Sequence, residues 1–269
     1  MLSDHAAAGG SVLAECLASG GKAPYRYEVK YNGADGSWIS AQKYSSNNIV
    51  NIAPETTGQF TALVRAKDST GKIISKKMSF EIYPTLCNTS SLSCEVMKAG
   101  KSVTVNCSSE GGWGKKQYSV WYCSNSTGKW SRKSDYSDKT TFSLTLKNAV
   151  DYIIRVNCKD EDGNIVKKNF DVNAYAALKN TSTVSSDNIQ TGNSVTVNCS
   201  STGGRGAKQY AVWYYNKNTK KWYQKTDYSD TATVDVTLRY AVDYTIRVNC
   251  RDEDGTIVKK DISVSVNQS

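Results

Sequence analysis

The side chains able to do chemistry form three groups: eight cysteines, one histidine, and acidic, basic and aromatic residues that recur at fixed spacing. His5 is the only histidine, so a histidine-based triad or zinc centre has no imidazole set to build on. The chain has no Gly-x-Ser-x-Gly turn and no phosphate loop. Glycoside hydrolysis needs two carboxylates facing across a cleft, which small repeated units do not offer. The reading is non-catalytic, with no cofactor and no metal. The acidic runs Asp160-Glu-Asp-Gly163 and Asp252-Glu-Asp-Gly255 raise calcium as an alternative. No bidentate glutamate follows at the EF-hand distance, and the related Asp68-Ser-Thr-Gly71 keeps one carboxylate. Asp-Gly between alternating segments instead marks a tight hairpin.

The elements that position these residues are repeated. Ser102-Val-Thr-Val-Asn-Cys107 recurs at a shift of 92 positions (102 to 194) as Ser194-Val-Thr-Val-Asn-Cys199. Asp151-Tyr-Ile-Ile-Arg-Val-Asn-Cys158 likewise recurs as Asp243-Tyr-Thr-Ile-Arg-Val-Asn-Cys250. A third, diverged copy fits Ser11 to Cys16, Tyr27 to Tyr31 and Phe60 to Ala66. Copies of about 90 residues exceed solenoid periods, so each is expected to be a domain with its own core. The divisions are a disordered tail over 1–10 and modules over 11–84, 85–175 and 176–269. Tripling one small module favours reach or avidity over catalysis.

Within the second copy, short alternating segments run over 90–97, 102–108, 116–123, 129–135, 140–147, 151–158 and 164–172. Seven such strands without helical period predict an all-β fold: three tandem immunoglobulin-like antiparallel sandwiches in an elongated array. They are lettered A, B, C, C′, E, F and G. Side chains alternate along a strand, which puts Val103, Val105 and Cys107 on one face of B, and Tyr152, Ile154, Val156 and Cys158 on one face of F. Cys107 and Cys158 therefore point between the sheets, and a disulfide is the simplest reading, repeated as Cys199–Cys250. Each bridge would close a loop of about 50 residues, worth roughly 4 kcal/mol on loop entropy. Two such pairs imply an oxidising compartment. Cys16 faces Ala66 and reads as a small core residue. Cys87, Cys94 and Cys123 remain, with Cys94–Cys123 or Cys87–Cys94 both open.

Parity leaves Trp121 and Trp213 outside the core on C, with Lys30 at the matching place. Arg155 and Arg247 face outward on F, with Arg65 read as their counterpart. Each tryptophan is predicted to stack on its arginine, a contact worth roughly 0.5–1 kcal/mol when exposed. The candidate binding platform is Trp121/Arg155 and Trp213/Arg247/Tyr215, suited to a protein epitope or sugar stacking, because Trp, Tyr and Arg dominate hot spots. Trp113, in the glycine-rich B–C loop, joins it as an exposed loop-tip aromatic. Trp38, Trp130 and Trp222 occur in every copy and are expected to cap the core edge.

Tyr25-Arg-Tyr-Glu-Val-Lys-Tyr31, Asp35-Gly-Ser-Trp38 and Gly58 to Gly71 resemble the triple-tyrosine (Y_Y_Y) motif, with Tyr118, Trp130, Tyr152 and Tyr210, Trp222, Tyr244 at matching places. The resemblance implies an immunoglobulin or fibronectin III-like sandwich, and surface or secreted proteins of gut bacteria, often beside cell-wall hydrolases. It carries no catalytic or binding residue. The formal charge of +9 is spread along the chain and interrupted by acids, which argues against nucleic acid as a partner. No apolar stretch approaches the ~18 residues of a membrane span. The expectation is a monomeric, secreted or cell-surface fragment of a longer exported bacterial protein that recognises a host protein or glycoprotein, an immunoglobulin or a mucin being candidates. The alternatives are glycan or peptidoglycan targeting beside a hydrolase, and a pure spacer.

Overall fold

A computed structural model of the chain describes residues 2–33 and 35–268. Met1, at the start of the expected tail, Ala34, and Ser269, at the end of the third module, lie outside the described residues. The first module comprises β1 (His5–Ala7), β2 (Val12–Glu15), β3 (Arg26–Asn32), β4 (Trp38–Ser45), β5 (Ile49–Ile52), β6 (Gly58–Lys67) and β7 (Ile73–Tyr83). The second comprises β8 (Cys87–Asn88), β9 (Ser91–Leu92), β10 (Val96–Lys98), β11 (Ser102–Asn106), β12 (Ser109–Glu110), β13 (Gln117–Ser124), β14 (Trp130–Arg132), β15 (Thr141–Thr145), β16 (Asp151–Lys159) and β17 (Ile165–Tyr175). The third repeats it as β18 (Lys179–Asn180), β19 (Thr183–Val184), β20 (Asn188–Gln190), β21 (Ser194–Asn198), β22 (Ser201–Thr202), β23 (Gln209–Asn216), β24 (Lys221–Gln224), β25 (Thr233–Thr237), β26 (Tyr244–Arg251) and β27 (Ile257–Asn267).

Each module sets a five-stranded sheet against a smaller one. In module 2 the large sheet runs β10-β17-β16-β13-β14 and the small one β15-β11-β9; module 3 has the same order. Alternation explains the layers. Along β16, Tyr152, Ile154, Val156 and Cys158 are buried and the residues between them are not. Val103 and Val105 on β11, with Phe142 and Leu144 on β15, meet them from the opposite sheet. Tyr152 also ties the strand start to the preceding turn, since its hydroxyl accepts from the Asn148 N–H at 3.2 Å.

Three expectations change. The first strand is not continuous over 90–97. β9 pairs antiparallel with β11, whereas β10 crosses to pair parallel with β17, so the segment serves both sheets. The described part of the tail expected to be disordered, residues 2–10, is ordered: β1 pairs parallel with β7, His5 opposite Glu81 and Ala7 opposite Tyr83. An edge strand offers unpaired backbone groups, and His5–Ala7 satisfies them as β10 does in module 2. Finally, the disulfides are absent: Cys107, Cys158, Cys199 and Cys250 are free thiols. Parity placed all four correctly in the cores, but facing inward from opposed sheets does not by itself join two sulfurs. Burial, followed by the neighbouring Cys158 and Cys250 thiols, pushes Cys107 and Cys199 up to about 11. Cys16 is a buried thiol in the first core, which also holds the small Ala66.

Candidate functional site

The outer face of the five-stranded sheet is where the structure gathers outward aromatics and cations. Trp121 on β13 lies directly opposite Arg155 on β16 and Arg132 on β14. Trp130 pairs with Cys123 one step along the same face. The predicted Trp121–Arg155 stack does not form. Arg155 instead lies over the Trp130 ring at 4.2 Å, and Arg132 approaches Trp121 at 5.7 Å. Module 3 repeats the exchange, with Trp213 opposite Arg247 in register but the guanidinium over Trp222 at 4.2 Å. An arginine is long enough to reach across the intervening β13 or β23, and the indole of β14 or β24 presents its flat face there. Trp38, Trp130 and Trp222 therefore do not cap the core edge. They stand outside, about two-fifths exposed, at 44%, 39% and 38%.

The last strand orients each guanidinium. Arg247 Nε and Nη2 donate to the two carboxylate oxygens of Asp261 on β27, both at 2.7 Å. Each partner favours the other's charge, so Arg247 is raised and Asp261 lowered. In module 2 the partner is neutral, Arg155 Nε donating to Asn169 Oδ1 at 2.8 Å, so the charge of Arg155 is not cancelled. Tyr215 packs on Trp222 with centroids 5.1 Å apart, extending the module 3 platform. Below Trp121, Trp130 and Arg155 a recess is completed by Asn157 and Lys167. The Asn157 side-chain oxygen there is buried without a hydrogen-bond partner, as is Asn249 at the matching place in module 3.

Among the described residues of module 1 no arginine stacks on the matching tryptophan; Lys77 lies over Trp38 at 5.9 Å instead. Glu28 sits between Lys30 at 3.3 Å and Arg65 at 3.1 Å, closing the face with internal ion pairs. The register also corrects the expected counterpart of Arg155: Leu63, not Arg65, lies opposite Lys30, while Arg65 takes the place of Asn157.

Trp113 is not an exposed loop tip. Its ring stacks on His5 at 3.9 Å and 7° between planes and approaches Tyr83 at 5.6 Å, which makes it part of the junction between modules 1 and 2. The Tyr83 hydroxyl donates to Asp162 at 2.5 Å, and His5 Nε2 lies 3.0 Å from the same carboxylate. At the next junction Tyr175 donates to Asp254 at 2.5 Å and Arg205 pairs with that carboxylate at 3.0 Å. The acidic turns expected as plain hairpins thus divide their labour. The third carboxylate holds the preceding module, and the first holds its own loop. Asp160 is buried and accepts from the Trp113 N–H at 3.1 Å and the Asn164 N–H at 2.8 Å. Burial opposes its ionisation, but the Asn164 amide and these N–H donors outweigh it and hold Asp160 below the ordinary range. Among the described residues no cluster of three or more His, Cys, Asp or Glu could hold a metal ion.

No family model matches the chain, and no curated protein matches it, so the triple-tyrosine resemblance rests on the residues alone. Solved structures do match. Three consecutive immunoglobulin domains of titin, a mutated variant, align with a TM-score of 0.52 at 11% identity over 98% of this chain and 95% of that one. The fold is tandem immunoglobulin-like. A structure concerning host cell surface retention of a 1.5-MDa bacterial ice-binding adhesin aligns at 0.40 with 17% identity, covering 99% and 95%. The Sidekick-1 immunoglobulin domains align at 0.39 with 11% identity, covering 98% and 73%. At such identities the likeness is one of fold.

Proposed function

We propose that this chain is a non-catalytic adhesion region of a secreted or surface-exposed bacterial protein, and that modules 2 and 3 recognise a host protein or glycoprotein through their outer sheet faces. The observation that carries the reading is the repeated arginine–tryptophan stack, Arg155 on Trp130 and Arg247 on Trp222, each held by the last strand and left open to solvent. A packed core gains nothing from such a face, whereas preorganised Trp, Tyr and Arg are the groups that dominate protein interfaces. Capture from host secretions by single modules tests it. Trp130→Ala and Trp222→Ala are expected to leave melting unchanged and to abolish capture by modules 2 and 3. Capture that survives both substitutions sinks the reading.

A second reading, a spacer, is favoured by the junctions. The Pro84 and Ala176 carbonyls accept from Gly112 and Gly204 N–H groups at 2.8 and 2.9 Å, so each link is bonded to the next module's loop. Leu86 and Leu178 from the links are buried in the modules that follow. Absence of capture by every module would support it.

A further inference from the structure

Module 3 has a cleft on the other side of its large sheet from the tryptophan platform. β24 closes the edge of the large sheet and β25 lies in the small one; the chain between them stays on β23 through Lys225, Thr226 and the Ser229–Tyr210 bridge, and β24 and β25 do not pair, so the sheets part at this edge. The cavity there measures about 490 Å³, within the ~300–1,000 Å³ of small-molecule sites. Tyr214 and Tyr223 stack in its wall, centroids 5.2 Å apart and 20° between planes. Tyr244 forms the floor, its hydroxyl accepting from the buried Asn216 amide at 3.3 Å. Tyr240 stands on the rim, 66% exposed, beside Arg239 and Lys225.

Two features separate this cleft from an ordinary open sandwich edge. Arg239 and Lys225 share the rim with no carboxylate among the lining residues, and no ion pair engages either one among the described residues. Tyr240 and Tyr223 belong to this copy alone, for module 2 has Asn148 and Ser131 at the matching places. A tyrosine that exposed contributes little burial to the fold. Two cations lining one cleft without a carboxylate beside them favour an anion there.

We propose that the cleft binds an anionic saccharide. The pyranose ring lies against the faces of Tyr240 and Tyr223, its hydroxyls meet the tyrosine hydroxyls, and its carboxylate or sulfate is held by Arg239 and Lys225. Apart from the two cations, the polar groups lining the cleft are hydroxyls and amides, which match a polyhydroxylated ligand.

The test is an NMR titration of the full chain with 3′-sialyllactose, lactose 3′-sulfate and neutral lactose, each to about 10 mM, enough to register millimolar affinity. The expected result is saturable shifts at Tyr214, Tyr223, Arg239 and Tyr240 with one or both charged sugars and weaker ones with lactose. The two charged probes decide between carboxylate and sulfate. Arg239→Ala, an exposed substitution, should weaken binding about tenfold, as loss of one charge-assisted hydrogen bond would, and Tyr240→Ala should weaken it while melting holds. Equal shifts with lactose, shifts scattered over lysines elsewhere, or no shift at all would overturn the proposal. Failure here leaves the platform reading standing, because protein capture by the opposite face is measured separately.

Discussion

At the scale of single residues, the cysteines give a direct check on the cores. Cys87 is exposed, whereas Cys16, Cys107, Cys123, Cys158, Cys199 and Cys250 are buried. Burial also raises Cys16, Cys107, Cys158 and Cys199, so at neutral pH these sulfurs are protonated and poor nucleophiles. Native alkylation followed by mass spectrometry should therefore modify Cys87 first and the six buried thiols only after unfolding. Protection of Cys107 and Cys158 that persists in denaturant without reductant would mean a bridge instead. Lys220 supplies a second check. It adopts φ 55°, where module 2 has Gly128 at φ 64°. A left-handed conformation costs a side-chain-bearing residue about 1–2 kcal/mol, against about 0.5–1 kcal/mol of extra chain entropy lost by glycine. Lys220→Gly should stabilise module 3 by roughly 0.5–1 kcal/mol in a denaturant melt.

At the scale of elements, the paired glycines of the loops after β12 and β22 fix the links. A Cβ on Gly111 would stand 2.3 Å from the Thr85 carbonyl oxygen, and one on Gly203 2.2 Å from that of Ala177, with φ at 64° and 65°. Neither backbone can yield without moving a link. Gly203→Ala should therefore cost about 1–3 kcal/mol and loosen the second junction, read as a lower melting temperature and faster proteolysis between modules 2 and 3. Buried asparagines join the elements in the same way. Asn88 Nδ2 donates to the Val156 and Val166 carbonyls at 3.0 and 3.3 Å, and Asn180 repeats this with Val248 and Val258. Asn88→Ala should destabilise module 2 by about 1–3 kcal/mol, the cost of stranding those acceptors.

At the scale of the whole molecule, the two junctions differ in how they respond to pH. His5 faces Asp4, Asp162, Trp113 and Tyr83. Burial opposes its charge, but hydrogen bonds to Asp162 and Asp4 outweigh this and raise its pKa above 6.5. A raised histidine contributes fully below its unfolded value, and the contribution fades as pH rises through the folded one. The first junction should therefore be firmest in mildly acidic solution and loosen on alkalisation through neutrality. The second, closed by Arg205 and Asp254, should not change over that range. Small-angle scattering across that window checks this, with His5→Gln expected to remove the dependence. A response unchanged by that substitution would place the titrating group elsewhere.

What the sequence determined by itself was the repeated two-layer unit, because burial in a sandwich obeys a period of two that any strand writes into its own order of residues. Val105, Ile154 and Cys158 show it: each sits in a core where alternation put it. The outward rows were legible for the same reason, including the register of Trp121 on Arg155. Which ring the arginine covers, where Trp113 rests and what His5 touches depend on reach across an intervening strand and on neighbouring modules. So does the opening of the tyrosine cleft. Alternation along one strand carries no distance between strands that the chain separates by dozens of residues, and tertiary packing alone supplies it.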